Sequence, residues 1–299
     1  MWVGIAIIEH SIASLLSFSS ILIFVACLKR KSYKLIWNDS PPLLCVLVSI
    51  VPTATLTCLV MLEWILICAG VIPKSPKYTI MIHFPSAMAM TAGWFYDGAI
   101  ASAFLHRILI LLPYFQATKT FYKPVVVASV LIPLLCILSI LTLNVVFVSV
   151  DVVPASPDCF APNCMSSHVA FIRQIYSYVD LSFSIGVLIT GSTSLALLYR
   201  YRKNFQTYKN ANINLFSRYI FYLRLTFKFS PFLADVVVSN TVGRPLAAYI
   251  GPYGALGGSF EAFLCILAFY SLQKKQTQRV ISMSKSGHMI SNISQKASR

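Results

Sequence analysis

The stretch SRYIFYLRLTFKFSPFLADVVVSNTVG, residues 217–243, decides how many times this chain crosses a membrane. It is long enough for a span, yet Arg224, Lys228 and Asp235 interrupt it. A transmembrane helix needs about 20 mostly apolar residues, because only a helix satisfies its own backbone hydrogen bonds inside hydrocarbon. Six other segments meet that requirement plainly, over approximately 3–28, 42–68, 80–112, 124–148, 171–199 and 246–272. Leaving 217–243 out gives six spans and returns the tail after Leu272, with its six basic residues, to the outer side. Including it gives seven spans and a consistent charge distribution.

With seven spans the inner segments hold eighteen basic residues: Lys29, Arg30, Lys31 and Lys34; Arg107, Lys119 and Lys123; Arg200, Arg202, Lys203, Lys209 and Arg218; and the six of the tail. The outer side holds only Lys74, Lys77, Arg173 and Arg244. Basic residues accumulate on the cytoplasmic face of membrane proteins, so the N-terminus is expected outside and the C-terminus inside. The expected fold is an all-α membrane protein, a seven-transmembrane helix bundle over residues 1–272. Residues 273–299 form a Ser- and Lys-rich cytoplasmic tail without apolar periodicity, expected to be disordered.

Composition agrees. Of 299 residues 57% are hydrophobic and 11% charged, against roughly a quarter charged in a soluble domain. The net charge of +15 lies between apolar runs, not on a water-facing domain, so it reads as basic loops beside an anionic leaflet and no nucleic-acid partner is expected. Met1 to Glu9 has no basic region and no cleavage signal follows the first apolar run, which reads as a signal-anchor. Asn38 and Asn292 begin glycosylation sequons, but both fall on the expected cytoplasmic side.

Six of the eight cysteines lie in or at the ends of apolar spans; Cys159 and Cys164 sit in a loop on the expected oxidising side. They can close a small ring around Pro162, and the alternative is that Cys68 pairs with one of them. No CxxC spacing suggests a metal, and no HExxH or GxSxG suggests catalysis, so neither cofactor nor enzyme activity is expected.

An ionisable residue in hydrocarbon costs roughly 2.5–3.5 kcal/mol on insertion scales, so those that remain usually face the bundle interior with a partner. Glu9, Glu63, Asp180 and Asp235 are placed in the outer parts of their helices, Asp97 and Glu261 near the middle, and Arg107, Arg224 and Lys228 toward the cytoplasm. This predicts an acidic outer cavity above a basic inner mouth, with a ligand pocket around Asp97, Asp180, Asp235 and Glu261. Phe95, Tyr96, Tyr178, Phe183, Tyr249 and Tyr253 are candidates for its walls, or for an interfacial belt. Gly254 and Gly258 form a GxxxG pair for close helix approach, and Pro231 and Gly251-Pro252 are candidate bends.

Three further pieces, in order, carry a resemblance: His106-Arg107-Ile108 followed by Pro113-Tyr114-Phe115, the loop Cys159-Phe160-Ala161-Pro162-Asn163-Cys164, and Tyr249-Ile250-Gly251-Pro252-Tyr253-Gly254-Ala255 leading to Glu261. On this layout the chain resembles the nematode serpentine chemoreceptors, most nearly class BC, over nearly its whole length. The resemblance implies detection of a small environmental molecule at the plasma membrane, in the cilia of sensory neurons, and signalling to a heterotrimeric G protein. Arg107 would match the arginine of the Asp/Glu-Arg-Tyr motif of rhodopsin-like receptors, with His106 in place of the acid; Lys203, Lys209 and Arg218 would flank the G-protein site. The rival class is a channel or transporter using Asp97, Asp235 and Glu261 along its path, although no internal repeat supports it.

Overall fold

The computed structural model describes residues 3–29, 41–74, 79–112, 122–150, 160, 162, 170–200, 208–242 and 253–271. All regular structure among them is helical. In chain order the elements are α1 (Val3–Lys29), α2 (Pro41–Cys68), α3 (Thr79–Leu111), α4 (Tyr122–Val150) and α5 (Ala170–Arg200). A sixth rod follows in three continuous pieces: α6a (Tyr208–Arg224), a π-helical turn (Leu225–Phe229) and α6b (Ser230–Val242). The last is α7 (Tyr253–Ser271).

Five of these helices are long and apolar enough to cross a membrane: α1, Pro42–Cys68 of α2, Lys123–Leu143 of α4, Gln174–Arg200 of α5, and α7. The chain is therefore a multi-pass membrane protein. Burial within each helix has the same logic. On α1, Ser14, Ser17 and Ser20 are buried while Leu15, Phe18 and Leu22 are exposed. That pattern is inverted relative to a water-soluble helix and suits a bundle whose outer surface meets lipid and whose small polar residues let helices approach.

α3 and the sixth rod fall outside the set of five, and they carry Asp97, Arg224 and Lys228. Neither needs a wholly apolar surface, because each turns its charges inward. α3 packs against α2, α4 and α5. Its buried side chains Ile82, Trp94, Ile100 and Phe104 reach three separate apolar clusters. The largest cluster joins Ile50 of α2, Ile100 and Phe104 of α3, Phe216 and Ile220 of α6a, and Cys265 and Ile266 of α7.

The predicted helices agree closely with the described ones except in the sixth, which begins at Tyr208 and not at 217. The added segment, YKNANINLF, is polar enough to read as a loop, yet Phe216 is fully buried and fastens it to the core. Residues 246–252 of the seventh prediction, with Tyr249 and Gly251-Pro252, lie outside the described residues, as do the tail, both sequons, Cys159 and Cys164.

Pro231 explains the π turn. Proline has no N–H to give the carbonyl four residues earlier, that of Phe227, and its ring crowds that carbonyl. The turn just before it widens, and Ser230 donates both its backbone N–H and, at 2.9 Å, its hydroxyl to the Leu225 carbonyl. The Phe227 carbonyl lies against Gly257 of α7, where an added Cβ would come within 2.7 Å of the oxygen. Close approach therefore falls on Gly257, not on the Gly254/Gly258 pair read from the sequence. A Cβ at either of those would meet nothing within 4 Å, and both line a cavity.

Alanine gains about 1 kcal/mol of helix propensity at either glycine, so comparing the two isolates the contact. Gly257→Ala is expected to be less stable than Gly258→Ala by about 1–3 kcal/mol in thermal unfolding of the purified protein. Equal melting temperatures would show that the contact between the π turn and α7 is loose.

Candidate functional site

Arg224 ends α6a and Lys228 lies one turn on, within the π turn, so both project from the same side of the rod. From there they meet three carboxylates on three other helices. Arg224 Nη2 donates to Asp97 Oδ1 of α3, and Nη1 donates to Glu261 Oε2 of α7 at 3.2 Å. The Arg224 Nε to Glu261 Oε1 distance is 3.0 Å. Lys228 Nζ donates to Asp97 Oδ2 at 2.6 Å and to Asp180 Oδ1 of α5 at 2.9 Å. The planar guanidinium suits this use, since its fork serves two carboxylates at once, while the ammonium serves as a point charge.

Burial grades the network. The side chains of Arg224, Asp97 and Glu261 are 6%, 2% and 1% exposed, whereas Lys228 and Asp180 are 25% and 35% exposed. The Arg224 guanidinium also stands 4.6 Å from the centroid of the Tyr96 ring, whose buried hydroxyl lies beside Cys265 and Glu261 of α7.

All five charged residues line a cavity of about 320 Å³. It is bounded by α1, α2, α3, α5, the sixth rod and α7, with Pro162 also on its lining. Its polar wall includes Ser17 and Ser259, whose hydroxyls are 3.1 Å apart between α1 and α7. Thr53 donates to the carbonyls of Ser49 at 2.9 Å and Ala92 at 3.0 Å, linking α2 to α3 beside the cavity. Asp235 of α6b and Tyr253 of α7 complete the lining, and the tyrosine hydroxyl donates to the aspartate.

The structure thus brings together all six candidates read as ligand-binding: Tyr96, Asp97, Asp180, Asp235, Tyr253 and Glu261. The aromatic walls are partly different. Phe227 and Phe232 line the cavity, whereas Tyr178 and Phe183 line a separate groove between α4 and α5, and Phe95 packs with Trp94, Ile137 and Tyr176.

The charge layout also needs correction. Arg224 and Lys228 do not form a basic mouth below an acidic cavity: they stand among the carboxylates. The reason is the early start of α6a, which puts Arg224 at the end of a 17-residue helix and so at mid-length of the rod. The signal was in the sequence as two bases four apart, next to Pro231, but their depth could not be read with the helix start misplaced.

Of the coupling candidates, Arg107 lies near the end of α3, 6% exposed, with Nη2 buried and lacking a hydrogen-bond partner among the described residues; Nδ1 of His106 is likewise unpartnered among them. None of the six described acidic residues, Glu9, Glu63, Asp97, Asp180, Asp235 and Glu261, is bridged to Arg107. Arg218 is half-buried on α6a, Lys209 lies in the first turn of α6a, and Lys203 falls outside the described residues.

A scan against protein-family models and searches of curated proteins and of solved structures each return no match.

Removing one partner from a buried ion pair leaves the other charge uncompensated, at a cost of about 3–5 kcal/mol. Arg224→Met strands Glu261 and is expected to lower folded yield and melting temperature strongly. Lys228→Met, at the more exposed end, is expected to cost less than half as much. Fluorescence-detected size exclusion with a thermal ramp reads both, and equal losses would contradict the grading by burial.

Proposed function

We propose that the chain is a seven-transmembrane receptor of the serpentine chemoreceptor type, resembling class BC of the nematodes, with its N-terminus outside and its C-terminus in the cytoplasm. In this reading it sits in the plasma membrane, takes a small molecule in the 320 Å³ cavity, and passes the signal to a heterotrimeric G protein. The observation that carries the reading is the coincidence of three features: a cavity, an ion network on its wall, and a π turn in the helix that supplies both cations. π turns mark places where a helix changes register, and they recur at functional sites.

The mechanism follows from linkage. A ligand shifts an equilibrium only by the difference in its affinity for the two states. A group that competes for Asp180 or Asp97 weakens the hold of Lys228, and with it the hold of the sixth rod on α3 and α5. The α6a end, with Arg218, then moves relative to the α3 end, with Arg107. Three carboxylates face two bases in the network. A ligand with one positive charge restores neutrality there, and small amines are expected ahead of carboxylic acids. The unpartnered Nη2 of Arg107 supplies a donor for a partner docking at that end.

This has a test that needs no ligand. In cells carrying a G-protein dissociation sensor, Lys228→Met is expected to raise basal dissociation, about tenfold in the active population for each ~1.4 kcal/mol of lost restraint. Arg107→Ala is expected to lower basal dissociation. Unchanged signalling in both variants sinks the receptor reading. A membrane current that persists with G proteins blocked transfers it to the channel that uses Asp97, Asp235 and Glu261.

A further inference from the structure

A second cavity, about 730 Å³, lies against another face of α3. Its floor is Gly98, Ala101 and Ser102 of α3, and its sides are α4 and α5. α4 leans on α3 where a Cβ at Gly98 would come within 2.7 Å of the Pro133 ring, while α4 and α5 touch each other little and leave a sideways opening. Ile132 and Tyr178, on the two lips, are 55% and 67% exposed, in line with the exposed apolar Leu131, Leu135 and Ile189. The groove therefore opens onto the surface that faces lipid, not onto the charged cavity.

Its chemistry fits hydrocarbon. Ser129, Ser182 and Thr190 line it, but each hydroxyl donates to a carbonyl of its own helix, at 2.7 Å in every case. These groups make no demand on an occupant. The groove runs along α4 from Pro124 to Cys136, or about 18 Å at 1.5 Å per residue. One leaflet of the hydrocarbon core is about 15 Å deep. The membrane-length part of α4 begins at Lys123, which is exposed and adjoins Pro124 at the groove's end. An ammonium thus stands where a leaflet's headgroups lie, at the foot of a slot one acyl chain long.

We infer that the α3–α4–α5 groove is a binding site for an anionic glycerophospholipid, with one acyl chain between α4 and α5 and the headgroup phosphate on Lys123. The site is independent of the receptor reading and needs only the membrane. A bound chain would brace α4 and α5 against α3 beside the ion network, so the lipid would add to the stability of the helix that carries Asp97.

Gly186 lines the groove, and a Cβ there meets nothing within 4 Å, so a larger side chain fills the slot without disturbing the bundle. The test is native mass spectrometry of the full chain, purified in detergent and titrated with dioleoyl phosphatidylserine, dioleoyl phosphatidylcholine and cholesterol. Wild type is expected to retain one phosphatidylserine about fivefold more tightly than phosphatidylcholine. Lys123→Gln should erase that headgroup preference, and Gly186→Leu should cut retention of both phospholipids at least tenfold with an unchanged or higher melting temperature. Undiminished retention by Gly186→Leu, a headgroup preference that survives Lys123→Gln, or cholesterol displacing the phospholipid would each overturn the assignment.

Discussion

Two cations on one rod, Arg224 and Lys228, hold three carboxylates that stand on three other helices, and the bundle is arranged around that exchange. Arg224, Asp97 and Glu261 are too deeply buried for any of them to stand uncompensated. Bringing them together is what allows a 33-residue helix with Asp97 at its centre, and a sixth rod with two bases, to occupy the interior of an otherwise apolar molecule. The outer helices can then be nearly uniform in hydrophobicity, because specificity of packing is carried inside by ions, hydroxyls and small residues.

The network is also the place where the fold departs from regularity. Pro231 disrupts the helical ladder next to Lys228, the π turn absorbs the disruption, and Gly257 gives the displaced Phe227 carbonyl room. Charge, proline and glycine act on one another within about two turns of helix. A rod held at its middle by ion pairs and softened beside them is suited to pivot there, which is why the receptor reading places the moving part in the sixth rod. The Arg224–Glu261 contact is buried, and the Lys228–Asp180 contact is more exposed, the one that the receptor reading gives to a ligand.

Much of the architecture was legible in the sequence. Apolar runs of membrane length are a strong signal: α1 to α5 begin and end within about two residues of where the sequence puts them, and the sixth rod and α7 end within about one. The polar segment Tyr208–Phe216 was misread because its nine residues are polar on balance, although Phe216 anchors it. That one boundary carried the depth of Arg224 and Lys228 with it, and so the ion pairs. The candidate acids were found because an acid inside an apolar run is conspicuous; their partners were seen but misplaced. Among Gly254, Gly257 and Gly258 no sequence rule picks the one that touches a neighbour, since that depends on how α7 is rotated against the sixth rod. Sorting Tyr96 from Tyr178 likewise depends on how the helices are rotated, which hydropathy does not encode.

The most direct test of the central claim is the thermal stability of Glu261→Gln measured in two backgrounds, wild type and Arg224→Gln, in lipid nanodiscs. If Arg224 and Glu261 compensate each other, removing the carboxylate charge lowers the melting temperature of the wild type, because Arg224 loses a partner. In the Arg224→Gln background the same substitution raises it, because a stranded charge is removed. A change of the same sign and size in both backgrounds would show that the two residues do not depend on each other, and that the ion network does not organise this bundle.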